Sequence, residues 1–288
     1  MNGTLEQLRK RGKGNTIRRD ILAGIGRALY QPIMYPIAKS QLEKNHELVV
    51  EGRENIPTNR SYVTLAHHRD RSDVKDFLVA HGRLVHPLVD ISGNATPSEW
   101  LLLELMGVSA TLRDDKEMKQ YAFQEMVRKG KMRRGVGQIV WNTTYHPELY
   151  GVFMPHVGSA IKVPMETNGL SLPAVKIIIP KGEFTDGEIG QSVIRYGKPI
   201  DPAQYTNEFR AAKDLQEKML EMQYQMNRHY LPGVTEEEYS QFHWARARRF
   251  PDDEDYQQKY VHLIEHKKAE TQKEKDNIAK KFMGSDDK

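Results

Sequence analysis

The chain has 288 residues, of which 38% are hydrophobic and 28% charged, and its formal net charge is +4. This size and balance predict one globular domain with terminal appendages, and the mean hydropathy of −0.69 indicates charged segments outside the core. The absence of cysteine excludes disulfides, a thiol nucleophile and a cysteine-ligated zinc site, and it fits a reducing compartment.

Residues 1–47 form a basic arm followed by an apolar segment that prolines interrupt. Arg27, Pro32 and Pro36 lie within the most apolar stretch, so no segment is predicted to span a bilayer. The arm is predicted to be attracted to phosphate on lipid head groups or nucleic acid. Its basic residues are Arg9, Lys10, Arg11, Lys13, Arg18 and Arg19, against a single Glu6.

A short amphipathic helix is predicted over residues 21–30. It would place Ile21, Leu22, Ile25 and Leu29 on one face, directly after the basic residues. Two interpretations remain open at this point. The apolar face could pack on the domain, or it could serve as an anchor at a membrane interface.

Residues 48–202 alternate short apolar segments with helical patterns, which argues for an α/β domain. The predicted strands are LVVEG, SYVTLA, RLVHPLVDI, VSATL, GQIVW, LPAVKIII and SVIRYG. The predicted helices are 72–81, 97–106, 114–129 and 155–167. Residues 203–288 then form a charged helical extension, which begins with a predicted helix over 208–228.

A histidine and an aspartate stand five positions apart where a predicted strand turns into a helix. In His68-Arg-Asp-Arg-Ser-Asp73 the carboxylate can fix the imidazole tautomer, and the free ring nitrogen can take a proton from an attacking hydroxyl. This spacing alone is weak evidence in a chain rich in both residue types. The surrounding sequence is more specific.

Four blocks in order resemble the glycerolipid acyltransferase family, which includes lysophosphatidic acid acyltransferases. They cover roughly half of the chain. They are VVEGRENIPTNRSYVTLAHHRDRSD with its His-x4-Asp pair, Gly107-Val-Ser-Ala-Thr-Leu-Arg113, MPHVGSAIKVPMETNGLSLPAVKI, and Tyr196-Gly-Lys-Pro-Ile200. The resemblance implies a mixed sheet flanked by helices, like that of glycerol-3-phosphate acyltransferases, with His68 and Asp73 as the catalytic pair.

One block departs from the family pattern. Counted back from Gly158 without gaps, the family's Pro-Glu-Gly-Thr falls on Asn142-Thr143-Thr144-Tyr145, so the glutamate and glycine are missing. The family uses this block, together with the arginine of the second block, to bind the acceptor. The resemblance therefore implies that Arg113 binds the phosphate of the acceptor. Thr143 and Thr144 would supply hydroxyl donors in place of the missing residues. A salt bridge from Arg113 to Asp114 or Asp115 is the structural alternative.

The implied reaction is direct transfer of a fatty acyl group from a thioester to a hydroxyl of a lysophospholipid or related acceptor. The donor would be acyl-CoA or acyl carrier protein, with no cofactor, no metal and no nucleic-acid partner. The expected location is cytoplasmic and peripheral on a membrane. Asp70 and Asp76, with both histidines, could instead form a metal site, although hydrated surface carboxylates are the commoner outcome.

Two other function classes remain open. The degraded third block is compatible with a catalytically idle lipid-binding protein on the same fold. The basic termini are compatible with nucleic-acid binding, which would be salt-sensitive and would survive the loss of His68.

Overall fold

The computed structural model describes most of the chain between residues 16 and 235, with gaps. The continuous described ranges are 16–67, 73–90, 97–112, 115–132, 136–142 and 158–235. Glu6, Arg9, Lys13, Glu238, Tyr239, Gln241, Phe242 and Ala245 are described as well.

Seven strands and seven α-helices make up this part of the chain. The strands are β1 (Glu47–Glu51), β2 (Tyr62–His67), β3 (His86–Asp90), β4 (Ser109–Thr111), β5 (Gly137–Asn142), β6 (Leu170–Pro180) and β7 (Ile189–Tyr196). The helices are α1 (Thr16–Leu29), α2 (Tyr35–Glu43), α3 (Asp73–His81), α4 (Pro97–Leu105), α5 (Lys116–Met132), α6 (Gly158–Thr167) and α7 (Glu208–Tyr230). A π-helical turn, Tyr30–Met34, joins α1 to α2 and contains Pro32.

All seven strands belong to one sheet in the order β1-β7-β6-β2-β5-β3-β4. Strands β2 to β6 run parallel to one another, whereas β7 runs antiparallel to β6 and carries β1 parallel to itself. The prediction of an α/β fold with a mixed sheet flanked by helices is therefore confirmed. The central strand β2 lies between β6 and β5, with parallel neighbours on both sides.

The two faces of β6 pack against different layers, because successive side chains of a strand point to opposite sides. Leu172 and Ala174 belong to a cluster with Phe77 of α3. Val175 and Ile177 belong to a second cluster with α6 and α7, whose contributing residues include Ile161, Leu215 and Met219. The sheet is thus covered on both faces, and α7 of the C-terminal segment packs directly on the sheet.

Helix α1 is longer than the predicted segment and uses two different faces. Ala23 is buried, as is Tyr30 at the start of the π-helical turn that follows, and Gly26 lies against the backbone of Leu105 in α4. Ile21 and Ile25 remain exposed on the other side. The helix therefore packs on the domain through small residues and tyrosine, while the apolar residues that define its amphipathic pattern face outward.

A pair of glycine substitutions tests this packing. A Cβ added at Gly26 would lie 1.9 Å from the carbonyl oxygen of Leu105, whereas one added at Gly24 would meet nothing within 4 Å. We expect Gly26→Ala to destabilise the protein by about 1–3 kcal/mol through overpacking. We expect Gly24→Ala to be stabilising by up to about 1 kcal/mol, because alanine favours the helix. Chemical denaturation followed by circular dichroism measures both. Equal stability of the two variants would contradict the close contact of α1 with α4.

Candidate active site

Three parallel strands end at the same edge of the sheet just before the predicted site residues. Strands β2, β4 and β5 end at His67, Thr111 and Asn142, and ligands in α/β folds bind at the carboxyl ends of parallel strands. In the sheet, β5 lies directly beside β2. Strand β4 lies three strands away from β2, which is about 14 Å at the usual strand spacing. The predicted residues that follow these strands, namely His68, Arg113, Thr143 and Thr144, lie outside the described residues.

Asp73 is the predicted site residue that the structure describes. It is the first residue of α3 as described, and its side chain is fully buried. The carboxylate oxygen Oδ1 accepts a hydrogen bond from Nζ of Lys176 at 2.6 Å. A buried carboxylate is tolerated because this ammonium group neutralises it. The structure thus gives Asp73 a partner that the sequence analysis did not identify.

Lys176 lies in the middle of β6, two residues beyond Ala174, which is the last residue of β6 paired with β2. Its side chain is fully buried and lies on the face of the sheet that α3 covers. The sequence does carry a signal for this residue. LSLPAVKIIIP is an otherwise apolar strand, and buried lysine is rare unless it is paired.

Asp76, one turn further along α3, is the second carboxylate in contact with Lys176, at 2.5 Å. Burial opposes ionisation of Asp76, but the charge of Lys176 and the neighbouring His46 outweigh it and hold its pKa below the usual value. His46 Nε2 lies 3.2 Å from Asp76 Oδ1, close enough for an electrostatic contact but not aligned as a hydrogen bond. We refer to His46, Asp73, Asp76 and Lys176 as the buried charge cluster.

The interpretation of Asp76 as a hydrated surface carboxylate is wrong, because the residue is buried. Its described charged neighbours are a lysine and a histidine. Asp70 and His68, which the sequence also named for a metal site, lie outside the described residues. Within the described ranges, no group of three potential metal ligands comes together.

The C-terminal end of α3 is fixed by a buried histidine. His81 Nδ1 lies 2.9 Å from both the carbonyl oxygen of Phe77 and the hydroxyl of Tyr196, and Nε2 lies 3.2 Å from Oγ1 of Thr64. Burial lowers the pKa of His81 to about 4, so the ring is neutral near pH 7. Because these contacts join α3 to β2 and β7, the helix that carries Asp73 is held firmly on the sheet.

Two glycines of the family-like blocks have structural reasons to be glycine. Gly52 and Gly107 adopt the left-handed backbone region, with φ of 67° and 69°. A side chain at Gly52 would collide with the carbonyl oxygen of Tyr196, and one at Gly107 with the ring of His86. Both residues thus permit close approaches within the fold.

Part of the basic arm is paired with acidic side chains of the domain. Arg9 contacts Asp115 at 2.5 Å, and Lys13 is paired with Glu117. Arg18 contacts Glu104 of α4 at 3.1 Å. Asp115 also caps α5 through the backbone nitrogen of Met118, and the Arg9 hydrogen bond lowers the pKa of its carboxyl group. The described part of the arm is therefore tied to α4 and α5.

An exposed row of apolar side chains runs along the N-terminal helices. These residues recur every four positions through α1, the π-helical turn and α2, and we call them the apolar stripe. Leu101 and Leu102 of α4, which packs beside α1, are exposed as well. None of the helices in the described part of the chain has the length and hydrophobicity needed to cross a membrane. The apolar stripe consists of Ile17, Ile21, Ile25, Leu29, Ile33 and Ile37.

Comparison with known proteins identifies a similarity at the level of structure. No protein-family model matches the sequence, and no curated protein matches it. Among solved structures, the chain is similar to the 1-acyl-sn-glycerophosphate (LPA) acyltransferase PlsC from Thermotoga maritima. The sequences are 18% identical, the TM-score is 0.47, and the similarity covers 72% of this chain and 79% of that chain.

Proposed function

We propose that the protein is an O-acyltransferase that moves a fatty acyl group from a thioester to a hydroxyl of a lysophospholipid or related acceptor. The thioester would be acyl-CoA or acyl carrier protein. His68 is the general base in this proposal, and Asp73 orients it. The observation that carries the proposal is the buried carboxylate of Asp73, in contact with Lys176 at the carboxyl edge of the central strand.

The position of Asp73 supports the paired role that the resemblance implies. His68 directly follows the last residue of β2, and Asp73 begins α3 as described, so only four residues of sequence separate the two. An ordinary surface aspartate is hydrated by solvent, so it would be neither buried nor paired with a buried cation. A carboxylate that fixes an imidazole tautomer benefits from both, because its charge and position are held constant.

The reaction in this proposal needs only one base. The acceptor hydroxyl attacks the thioester carbonyl carbon while His68 removes its proton, forming a C–O bond and a tetrahedral intermediate. The C–S bond then breaks, and the thiolate takes the proton from the imidazolium. The products are an ester and a free thiol. Asp73 stabilises the imidazolium that forms between the two steps.

Acceptor binding is assigned to residues that follow β4 and β5. Arg113 would bind the acceptor phosphate as a planar bidentate donor, which suits phosphate better than a lysine does. Thr143 and Thr144 would supply hydroxyl donors. Asp115, the structural alternative as a partner for Arg113, is already in contact with Arg9.

The apolar stripe supports a location at the membrane surface, where a lysophospholipid acceptor would be found. Exposed isoleucines at a four-residue spacing form a continuous apolar ridge, and such a ridge can enter the boundary between head groups and acyl chains. We infer peripheral association on the cytoplasmic side of a membrane.

Substitution of the proposed base tests the reaction. We expect His68→Ala to lower acyl transfer about 10²–10⁴-fold, the usual contribution of a general base. Asp73→Asn should also lose most of the rate, because the amide no longer sets the tautomer. Lysophospholipid acylation with a labelled acyl-CoA, and with acyl carrier protein, measures both.

His229→Ala is the matched control, since His229 is an exposed histidine on α7. It should keep the wild-type rate. A folded His68→Ala protein with wild-type turnover would show the mechanism to be wrong. If the wild type itself binds lipid but turns over no acyl donor, the chain is the idle lipid-binding protein instead.

The acceptor assignment predicts a selective defect. Because loss of an ionic hydrogen-bond partner costs about 1.5–3 kcal/mol, Arg113→Ala should raise the KM for a phosphate-bearing acceptor roughly tenfold or more. The KM for the thioester should change little. Arg210→Ala, at an exposed arginine on α7, is the control and should alter neither constant. Equal changes for donor and acceptor in Arg113→Ala would show that the role is misassigned.

The membrane assignment is tested on the apolar stripe rather than by deletion of residues 1–38, because that deletion would also remove the buried Ala23 and Tyr30. Ile21 and Ile25 are 59% and 44% exposed, so glutamates at both positions should be tolerated by the fold. Since a buried isoleucine contributes about 1.5–3 kcal/mol, the Ile21→Glu/Ile25→Glu variant should bind anionic vesicles at least about tenfold more weakly. Sedimentation with vesicles measures the change.

Phe209→Glu is the control for added negative charge. Phe209 is 77% exposed on α7, outside the apolar stripe. Vesicle binding should be nearly unchanged in this variant. If the double variant still sediments like the wild type, the membrane surface lies elsewhere.

A further inference from the structure

We propose that Lys176 is a positioning residue for Asp73, and that its ammonium group keeps this carboxylate ionised and fixed as the partner of His68. The inference rests on the proposed function and adds to it a residue to which the resemblance gives no role. Its evidence is the geometry of the buried charge cluster.

Lys176 is held between two carboxylates that start the same helix. Its Nζ lies 2.6 Å from Oδ1 of Asp73 and 2.5 Å from Oδ2 of Asp76. All three side chains are at most 1% exposed. The two carboxylate oxygens are therefore separated by no more than the sum of these two contact lengths. The ammonium group of Lys176 thus favours the ionised form of both carboxylates.

Two buried carboxylates this close cannot both stay ionised without a cation between them, because like charges and burial both favour the protonated form. With Lys176 present, Asp73 can accept the imidazole N–H as a carboxylate. Without Lys176, the two aspartates would share a proton near neutral pH. Other titratable groups at the cluster include His46, which faces Asp76 from the connection before β1.

The surroundings argue against a purely structural role for this lysine. Leu172 and Ala174 precede it on the same face of β6, and Ile178 follows it. An apolar residue would fit this face, and replacing a buried ion pair by apolar side chains is often neutral or stabilising. The strand instead carries a lysine at the position that contacts the proposed catalytic aspartate.

The test compares Lys176→Met with Asp76→Asn by full pH profiles of acyl transfer. Methionine keeps the length of the side chain and removes the charge. We expect Lys176→Met to lower kcat roughly tenfold to hundredfold at pH 7, with the KM for the thioester nearly unchanged. The acidic limb of the profile should move up, because both members of the coupled His68–Asp73 pair lose a neighbouring positive charge.

Asp76→Asn leaves the Lys176–Asp73 pair in place, so its acidic limb should not move upward. Tyr196→Phe serves as the stability control, because it removes a buried hydrogen bond to His81 away from the cluster. It should lower the melting temperature without shifting the profile. A folded Lys176→Met protein with the wild-type profile would overturn the proposal.

If Lys176→Met does not fold, the double variant Lys176→Met/Asp76→Asn relieves the repulsion between the carboxylates. Asp73 is still buried without its cation there, so a smaller upward shift is expected in the folded double variant. An unshifted profile in that protein would equally overturn the role of Lys176.

A measurement without turnover separates this proposal from the proposed function. Carbon-13 spectra of labelled aspartate side chains, assigned by comparison with Asp73→Asn, report the ionisation of Asp73 directly. The Asp73 carboxyl signal should respond to acid at a higher pH in Lys176→Met than in the wild type, because the neighbouring cation is lost. If the wild type transfers no acyl group, the proposed function fails while this result still decides the pairing. Unchanged titration in Lys176→Met would reject the pairing itself.

Discussion

A single buried ammonium group joins the central sheet to the helix that begins with Asp73. Lys176 reaches from β6 to two carboxylates one turn apart on α3, so the start of that helix can sit in only one register against the sheet. His81 fixes the other end of the helix through Thr64 and Tyr196. Because breaking a buried pair by removing one partner costs about 3–5 kcal/mol, the polar contacts at the two ends specify the position of α3 more strictly than its apolar face alone could.

The local elements could be predicted from the sequence because their signals are local. Each predicted strand segment overlaps an observed strand, and the helix predicted over 208–228 is observed as Glu208–Tyr230, with Asn207 capping its first turn. The order of the strands could not be predicted in this way. The β6–β7 pairing is antiparallel and places β1 beyond β7, and these are long-range choices that hydrophobic periodicity does not encode.

The candidate site was only partly predictable for the same reason. Asp73 could be identified from its spacing to His68 and from the family-like blocks around it. Lys176 is 103 residues further along the chain, so only the fold brings it to Asp73. Its one sequence signal, a lysine within an apolar strand, indicates a buried partner but does not say which carboxylate that partner is. Asp76 was misjudged because surface exposure is the default expectation for an aspartate.

Ion pairs and close packing fix the residues around the apolar stripe on the helices of the domain. Arg9 and Lys13 contact Asp115 and Glu117 at the start of α5, just after β4 and therefore at the carboxyl edge. Arg18 and Gly26 of α1 contact Glu104 and Leu105 at the end of α4. Helix α1 is consequently held on α4 with its apolar stripe outward. Under the proposed function, the apolar stripe would meet the membrane surface in an orientation that these contacts fix relative to the domain. The ion pairs of the basic arm would then orient the membrane-facing helix relative to the site, in addition to any attraction they exert on anionic lipid.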